Sequence, residues 1–364
     1  MEIIRKVDKY FHIRYDLVIL SYIVACVYYW YTRVCSPINE VLNINYILAF
    51  TILLSFDYTK IDKFKIALFI LLPICAVVFR RWLVIWTIFA LVYQIGYYNI
   101  GLRTIGKLSI IILVIELFIQ FELFLLGIVE DTPKFVVKTE RYAHDLGMGN
   151  SNQFGMLIFE LCCMIYLFIG INKGKRLLFT IITIIVGCIM FYFTSCRTAF
   201  YSILLLNILA FGYWLNLFSK YYKILIGILP FIFFALNVYT ALFYEDMSEF
   251  NEISTGRMWY MKKYLDDFSS TDWLVGAVVE SSDPLDGTYL EMLLKGGIVM
   301  TIFFSCSFFI SIVKYYNEIK KYLPIVIVTL AAGFSETIFT APSPCTILLW
   351  TITLLVYTKD QLSY

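Results

Sequence analysis

Tyr244 to Gly287 reads YEDMSEFNEISTGRMWYMKKYLDDFSSTDWLVGAVVESSDPLDG, the one long charge-rich run between segments too apolar to live in water. Such a run is an exposed loop, and the segments on either side of it are read as membrane spans. Acids outnumber bases within it, so Arg257, Lys262 and Lys263 are the few cations available to an anionic ligand. Gly256, beside Arg257, lets the backbone approach such a ligand closely. Met258, Met261, Leu265 and Phe268 recur at helical spacing, with Lys262, Lys263, Asp266 and Asp267 on the other face. A short amphipathic helix lying on the outer surface is expected there, with Arg257 at its start and at headgroup depth.

Outside this loop the chain is dominated by apolar residues. Over 364 residues, 61% are hydrophobic and 15% charged, and the mean hydropathy is +0.80. Soluble domains have roughly 45 to 50% apolar and about 25% charged residues. An integral membrane protein follows: a polytopic, all-α helical bundle forming a single transmembrane domain over residues 1–364. The N-terminal basic residues precede an apolar run that continues through Tyr28, Tyr29 and Trp30 without a small-residue cleavage site, so an uncleaved first span is expected. Cys26 is followed by apolar and aromatic residues, which argues against lipidation. The nine cysteines lack C-x-x-C or His-rich spacing and read as core fillers, with no metal and no cofactor expected. Cys35, Cys196 and Cys345 fall near one membrane face, within reach of pairing.

Apolar runs of about 17 to 25 residues, or shorter where a bundle shields them, mark spans. They fall near 15–32, 43–56, 64–79, 82–98, 107–128, 153–170, 177–194, 198–215, 224–243, 287–313, 323–340 and 344–358. That is about twelve transmembrane helices, with the large loop between the ninth and tenth. Only Arg80-Arg81 parts the third from the fourth, and only residues 341–344 part the last two, so merging either pair would invert everything downstream. With the N-terminus inside, most Lys and Arg fall on inner segments, as cytoplasmic connections require. Both termini are therefore expected in the cytoplasm, and both polar loops, 129–152 and 244–287, outside.

The first loop ends in Arg141-Tyr-Ala-His144-Asp145-Leu-Gly147-Met-Gly149-Asn150-Ser151-Asn152, whose last residues are N-cap types before an apolar run. Arg197-Thr198-Ala199 and Asp286-Gly287-Thr288 open two further spans on the same side. Outward helix N-termini with unspent backbone N–H groups suit a phosphate at the membrane surface. Glu116, Glu122, Glu160, Glu291, Lys295 and Glu336 lie inside spans, where ionised groups face a cavity or a partner. Glu291 and Lys295 are spaced to pair along one helix.

These residues resemble a family: the bacterial O-antigen ligases and the Wzy-type O-antigen, capsule and exopolysaccharide repeat-unit polymerases. The shared pattern is R-x-x-H-x-L-G-x-x-x-x-N at Arg141 to Asn152, S-x-R-x-A at Ser195 to Ala199, and T-G-R at Thr255 to Arg257. D-x-x-Y-L at Asp286 to Leu290, followed by Gly296-Gly297, completes it. Ligases look like H-N-x-Y-L where this chain has Asp286-Gly287-Thr288-Tyr289-Leu290, which is closer to the polymerases. The aromatic usual four residues after the loop arginine is Met261 here, with Trp259 nearer.

The resemblance implies a glycosyltransferase of the bacterial cytoplasmic membrane, with its site facing outside. It would join undecaprenyl-pyrophosphate-linked oligosaccharides in polysaccharide biosynthesis, with a flippase and a chain-length regulator as partners and no nucleic acid. Breaking a glycosyl pyrophosphate develops negative charge on the leaving group, and fixed cations accelerate that step. Arg197 and Arg257 are the candidates for this role, while Asp286 or His144 takes the acceptor proton. Arg141, Asn152, Tyr289 and Glu336 are candidate substrate-binding residues, although Asn152 also suits a helix cap. The rival readings are a ligase with a different acceptor and a flippase of the same lipid-linked sugars. A flippase should show internal repeats and helices broken at the membrane midplane.

Overall fold

The protein is described here from a computed structural model that covers residues 2–34, 44–56, 83–136, 141–246, 257–277, 287–338 and 341–358. The expected third span, residues 64–79, and Cys35 lie outside these residues, as does Asp286. Arg141 and Arg257 are described in their backbone only.

The architecture is helical. In chain order come α1 (Glu2–Val34), α2 (Ile44–Ser55), α3 (Leu83–Tyr97) and α4 (Leu102–Leu125). A two-stranded antiparallel hairpin follows, β1 (Lys134–Val136) and β2 (Arg141–Ala143), with Phe135 opposite Tyr142. Next are α5 (Ser151–Ile165), α6 (Arg176–Thr194), α7 (Arg197–Trp214) and α8 (Lys223–Leu242). The large loop contributes α9 (Arg257–Asp266) and α10 (Ser270–Val275). The chain ends with α11 (Thr288–Ile319), α12 (Leu323–Ala332), α13 (Pro344–Thr353) and α14 (Leu355–Thr358).

Among the described residues, six helical stretches are long and apolar enough to cross a membrane. On α4, Ile111, Val114, Ile115 and Phe118 are exposed, and on α6 so are Leu177, Ile181, Ile185 and Ile189. Rows of large apolar side chains on the outer faces of bundled helices are what a lipid solvent demands, because bilayer tails cost them nothing. This is a membrane protein.

One continuous core runs through the bundle, with Trp350 edge-on to Phe89 at 4.6 Å and to Phe304 at 4.8 Å. Small residues bring helices close: a Cβ on Gly155 of α5 would stand 2.6 Å from Cys196 Cβ at the start of α7. Cys196 and Cys345, two of the three cysteines that could pair, are both buried and free. At the far end of the same helices Trp214 Nε1 donates to Gly170 O at 2.8 Å, closing a π-helical turn over Tyr166–Gly170.

The expected amphipathic helix is present as α9, but it lies on protein as well as at the surface. Met258, Met261 and Leu265 are buried with Ala241 of α8 and Leu290, Leu293 and Leu294 of α11, while Phe268 packs at the edge. On its other face Lys262 pairs with Asp266, and Lys263 Nζ lies 5.8 Å from the Trp259 ring. The loop's cations are therefore partly occupied within their own helix.

Two further departures have identifiable causes. The span expected at 323–340 is helical only to Ala332, because the carbonyls of Gly333 and Glu336 bond to Thr288 instead of continuing the helix. Helix α11 runs to Ile319, past the expected end at 313, and is broken at Gly297, whose φ is +65°. A side chain at Gly297 would overlap the Leu274 carbonyl of α10, and Ala277 N–H bonds Leu294 O at 2.7 Å. The Gly296-Gly297 pair thus lets the large loop plug into a helix break, which only glycine permits at that φ.

Candidate functional site

Most of the candidate residues gather at one end of the bundle, around two constructions. The first is the loop between α4 and α5. Its hairpin carries His144, whose N–H bonds Phe193 O at 2.9 Å on the last turn of α6. His144 Nδ1 lies 2.5 Å from Asp131 Oδ2, and Asp131 Oδ1 accepts the backbone N–H groups of Asp145 at 2.8 Å and Leu146 at 3.1 Å. Asp145 in turn accepts from Thr132 through both its N–H and its hydroxyl, and from Gly147 N–H at 2.9 Å. Burial works against ionising Asp131, yet the hydrogen bonds from His144 and from the backbone amides prevail and hold its carboxyl below the usual carboxylate range. The imidazole is therefore gripped at Nδ1 by a carboxylate, and its side chain is 40% exposed against 14% for Asp131. A ring held at Nδ1 on a partly exposed side chain is the arrangement of an oriented acid or base.

Below His144 lies an apolar groove of about 500 Å³ between α4, α5 and α6. Phe121 and Phe124, Phe154 and Ile158, and Ile189 and Phe193 form its walls, with His144 and Leu146 at its mouth. Gln120 Nε2 donates to Leu146 O at 2.5 Å, tying that mouth to α4.

The second construction is where α7 and α11 begin. Helix α6 ends at Thr194, Ser195 turns left-handed at φ 51°, and Arg197 opens α7 with no side-chain cap. Thr194 Oγ1 accepts Cys196 N–H at 3.1 Å, which fixes this turn. Among the described residues, the half-buried Arg197 guanidinium makes no hydrogen bond or ion pair. Beside it, Ser335 Oγ lies 3.4 Å from Thr198 Oγ1, so residues 333–338 pass directly over the start of α7. The same segment clasps the start of α11. Thr288 N–H bonds Gly333 O at 2.7 Å and Glu336 O at 3.1 Å, and Thr288 Oγ1 accepts Ile338 N–H at 2.6 Å. Asn237 of α8 donates to Phe334 O at 3.1 Å, while its buried Oδ1 has no hydrogen-bond partner among the described residues and faces Gly287. Gly287 has φ +106°, and a Cβ there would stand 2.8 Å from Met261 Cε.

The sequence-derived candidates divide accordingly. Arg197, His144, Asn152 and Glu336 meet at this end, since Cys196 Sγ lies 3.9 Å from Asn152 O and Glu336, mostly buried, sits in the clasp. The cap of α5 is Asn150, whose side chain accepts Asn152 N–H at 2.9 Å, so Asn152 sits in the first helical turn instead of at the cap. Tyr289 departs from a ligand-contacting role: it is fully buried against Phe233 and Phe234 and its hydroxyl donates to Leu330 O at 2.7 Å. The start of α11 also differs from an open phosphate cradle, because its Thr288 N–H is already donated to protein carbonyls. Backbone places Arg141 in β2 opposite Val136 and Arg257 at the first position of α9.

Asp131 and Asn237 are the residues that sequence reading missed. Asp131 carries no motif signal, because its role depends on a hairpin returning His144 to it, and Asn237 reads only as a polar residue inside an apolar helix. Within the spans, Glu291 pairs with Lys295 as spaced, and the buried Glu160 accepts the Tyr29 hydroxyl at 3.2 Å. Compared with known proteins, the chain matches no family model, no curated protein and no solved structure.

Proposed function

We propose that this protein is a polysaccharide polymerase that joins lipid-linked oligosaccharide repeat units at the outer face of a bacterial cytoplasmic membrane. The observation that carries the reading is Arg197: a guanidinium without a partner among the described residues, at an uncapped helix N-terminus, four positions after Phe193, whose carbonyl holds His144 of the Asp–His pair and whose side chain lines the apolar groove. An arginine at such a place matches a pyrophosphate in charge and in fork geometry.

In this reading the pyrophosphate of the donor lies against Arg197 and the start of α7, with Arg257 as the second candidate cation. The isoprenoid chain follows the apolar groove, and the growing glycan extends away from the membrane. Charge builds on the pyrophosphate as the glycosidic bond breaks, and a preorganised cation stabilises that charge more than the ground state. His144 Nε2 takes the proton of the acceptor hydroxyl, with Asp131 holding the ring and stabilising the imidazolium; Asp286 is the alternative acceptor. Topologically the reading requires about twelve spans, both termini in the cytoplasm and residues 244–287 outside.

The deciding experiment is reconstituted protein given undecaprenyl-pyrophosphate-linked repeat units, read as a ladder of chain lengths. Arg197→Ala should slow ladder growth roughly 100- to 1,000-fold, the effect of losing one preorganised donor to a transition-state anion. Arg197→Lys should be impaired less, because it keeps the charge and loses the fork. Near-parental ladders from a folded Arg197→Ala protein would remove the assigned site. Single cysteines between residues 244 and 287 should label with an impermeant thiol reagent in intact cells, and labelling only after lysis would overturn the orientation.

A further inference from the structure

At the opposite end of α8 and α11 from Arg197, a recess of about 310 Å³ opens between the Lys220–Tyr222 turn and the last turns of α11. Thr288 and Lys314 stand at 26 positions' separation on α11, about 39 Å of helix, so this recess is remote from the site above. Lys220, Lys223 and Lys314 line it, and Glu318 is the one acid among its lining residues. Three ammonium groups around one small recess repel one another, and a single carboxylate leaves the surplus positive.

The floor of the recess is built rather than loose. Tyr316 is buried in it and its hydroxyl donates to Ser219 O at 3.0 Å, which locks the turn before α8 onto α11. Tyr315 leaves helical dihedrals at φ −111° and ψ 22°, bending the last turns of α11 where the recess forms. Lys314 Nζ rests 5.3 Å from the Tyr315 ring and Lys220 Nζ 5.8 Å from the Tyr221 ring, so aromatic faces hold two of the lysine stems. Tyr221, 81% exposed, and Tyr222 belong to the turn at the recess, and Lys320 and Lys321 follow the end of α11; aromatic and basic residues of these kinds are enriched at membrane–water interfaces.

Asymmetry of Lys and Arg across a membrane places lysines on one side, but it does not gather three of them around a recess with a fixed floor. We infer that this recess is a phosphate-binding site at headgroup depth, where Lys220, Lys223 and Lys314 receive the phosphate of an anionic lipid or a free phosphate of the same chemistry. Compact ammonium groups on flexible stems suit a phosphate as point charges, without needing the planar fork of arginine. The inference does not depend on the proposed polymerase activity.

The test uses full-length protein in a zwitterionic detergent, titrated with dioleoylphosphatidylglycerol or dioleoylphosphatidylcholine and followed by native mass spectrometry. Each lysine near an anionic headgroup contributes about fivefold in affinity. The variant Lys220→Gln/Lys223→Gln/Lys314→Gln should therefore bind phosphatidylglycerol roughly 100-fold more weakly. The control Lys107→Gln/Lys175→Gln/Arg176→Gln removes the same charge elsewhere and should bind as the parent does. In a second arm, inorganic phosphate alone at millimolar concentration is scored by thermal shift. A shift in the parent that the recess variant lacks assigns soluble phosphate, whereas lipid selectivity without that shift assigns the headgroup. The proposal is overturned if the recess variant matches the parent in both arms, or if the control loses phosphatidylglycerol binding to the same degree.

Discussion

The two constructions at the candidate site are held in opposite ways. The loop around His144 is held mainly by its own side chains: Asp131, thirteen positions away, grips the imidazole, and Asp145 ties Thr132 and Gly147 within the same loop, with Phe193 O and Gln120 as its ties to α6 and α4. The clasp around Thr288 is long-range, joining residues 48 apart in Thr288 and Glu336, 97 apart in Asn237 and Phe334, and 137 apart in Ser335 and Thr198. A loop held by its own side chains can change with little effect on the bundle, whereas irregular backbone inside a membrane bundle survives only while its partners satisfy it. The first region is thus suited to chemistry that tolerates motion, and the second to fixing where the helices begin.

The difference between the two regions can be broken experimentally, and the largest effect should come from α11. Gly297→Val puts a branched side chain at φ +65° against the Leu274 carbonyl. We expect a loss above about 3 kcal/mol, seen as poor recovery of folded protein and an early thermal transition in detergent. A variant as stable as the parent would show that the large loop does not plug into this break.

Next in size is Thr288→Val, which keeps the shape of the side chain but removes the hydroxyl that accepts Ile338 N–H and donates to Glu336 O. Leaving the Ile338 N–H unpaired in the core, with Glu336 O keeping only the Thr288 N–H, should cost about 2 kcal/mol of global stability. If only the 333–338 segment loosens while the transition temperature holds, the clasp is as local as the His144 loop and the contrast fails.

A smaller effect is expected from Asp131→Asn, which keeps the volume but loses the charge at His144 Nδ1 and weakens acceptance from two amides. Global stability should change by less than about 1 kcal/mol, while hydrogen exchange of the Asp145 and Leu146 amides accelerates. Under the proposed polymerase reading the ladder should shorten as well, since a ring in the wrong tautomer cannot serve as base. A large drop in thermal stability would place this loop among the structural supports of the bundle.

The smallest effect is one of pH. The Asp131 carboxyl is held below its ordinary value of 3.8, so its contribution is fully present above that value and is lost as pH falls beneath it. Exchange protection at Asp145 and Leu146 should stay level from neutral pH down to about 5 and decline only below 3.8. Protection that already fades near pH 6 would show that the Asp131 carboxylate does not control this loop.

Much of this molecule was legible in its sequence, for a physical reason. Lipid admits only long apolar helices with their backbone satisfied internally, so span positions are written in local composition. The helices from Ile44, Leu83, Ser151, Arg176, Arg197 and Lys223 begin within a few residues of the expected places. The face of α9 carrying Met258, Met261 and Leu265, and the Glu291–Lys295 pair, follow from helical period alone.

What only the tertiary structure decided were the partners of polar groups. Nothing near Asp131 in the chain says that a hairpin will bring His144 back to it, and nothing near Ala332 says that Thr288 will take the carbonyls that would have continued the helix. Tyr289 sits in a motif but spends its hydroxyl on Leu330 O, and Cys196 and Cys345 share a membrane face yet stay free in the core. Burial follows from what a residue is, because transfer from water acts on each side chain separately. A hydrogen bond needs a donor and an acceptor at one distance and angle, and across 48 to 137 positions of chain only the packed bundle sets that geometry.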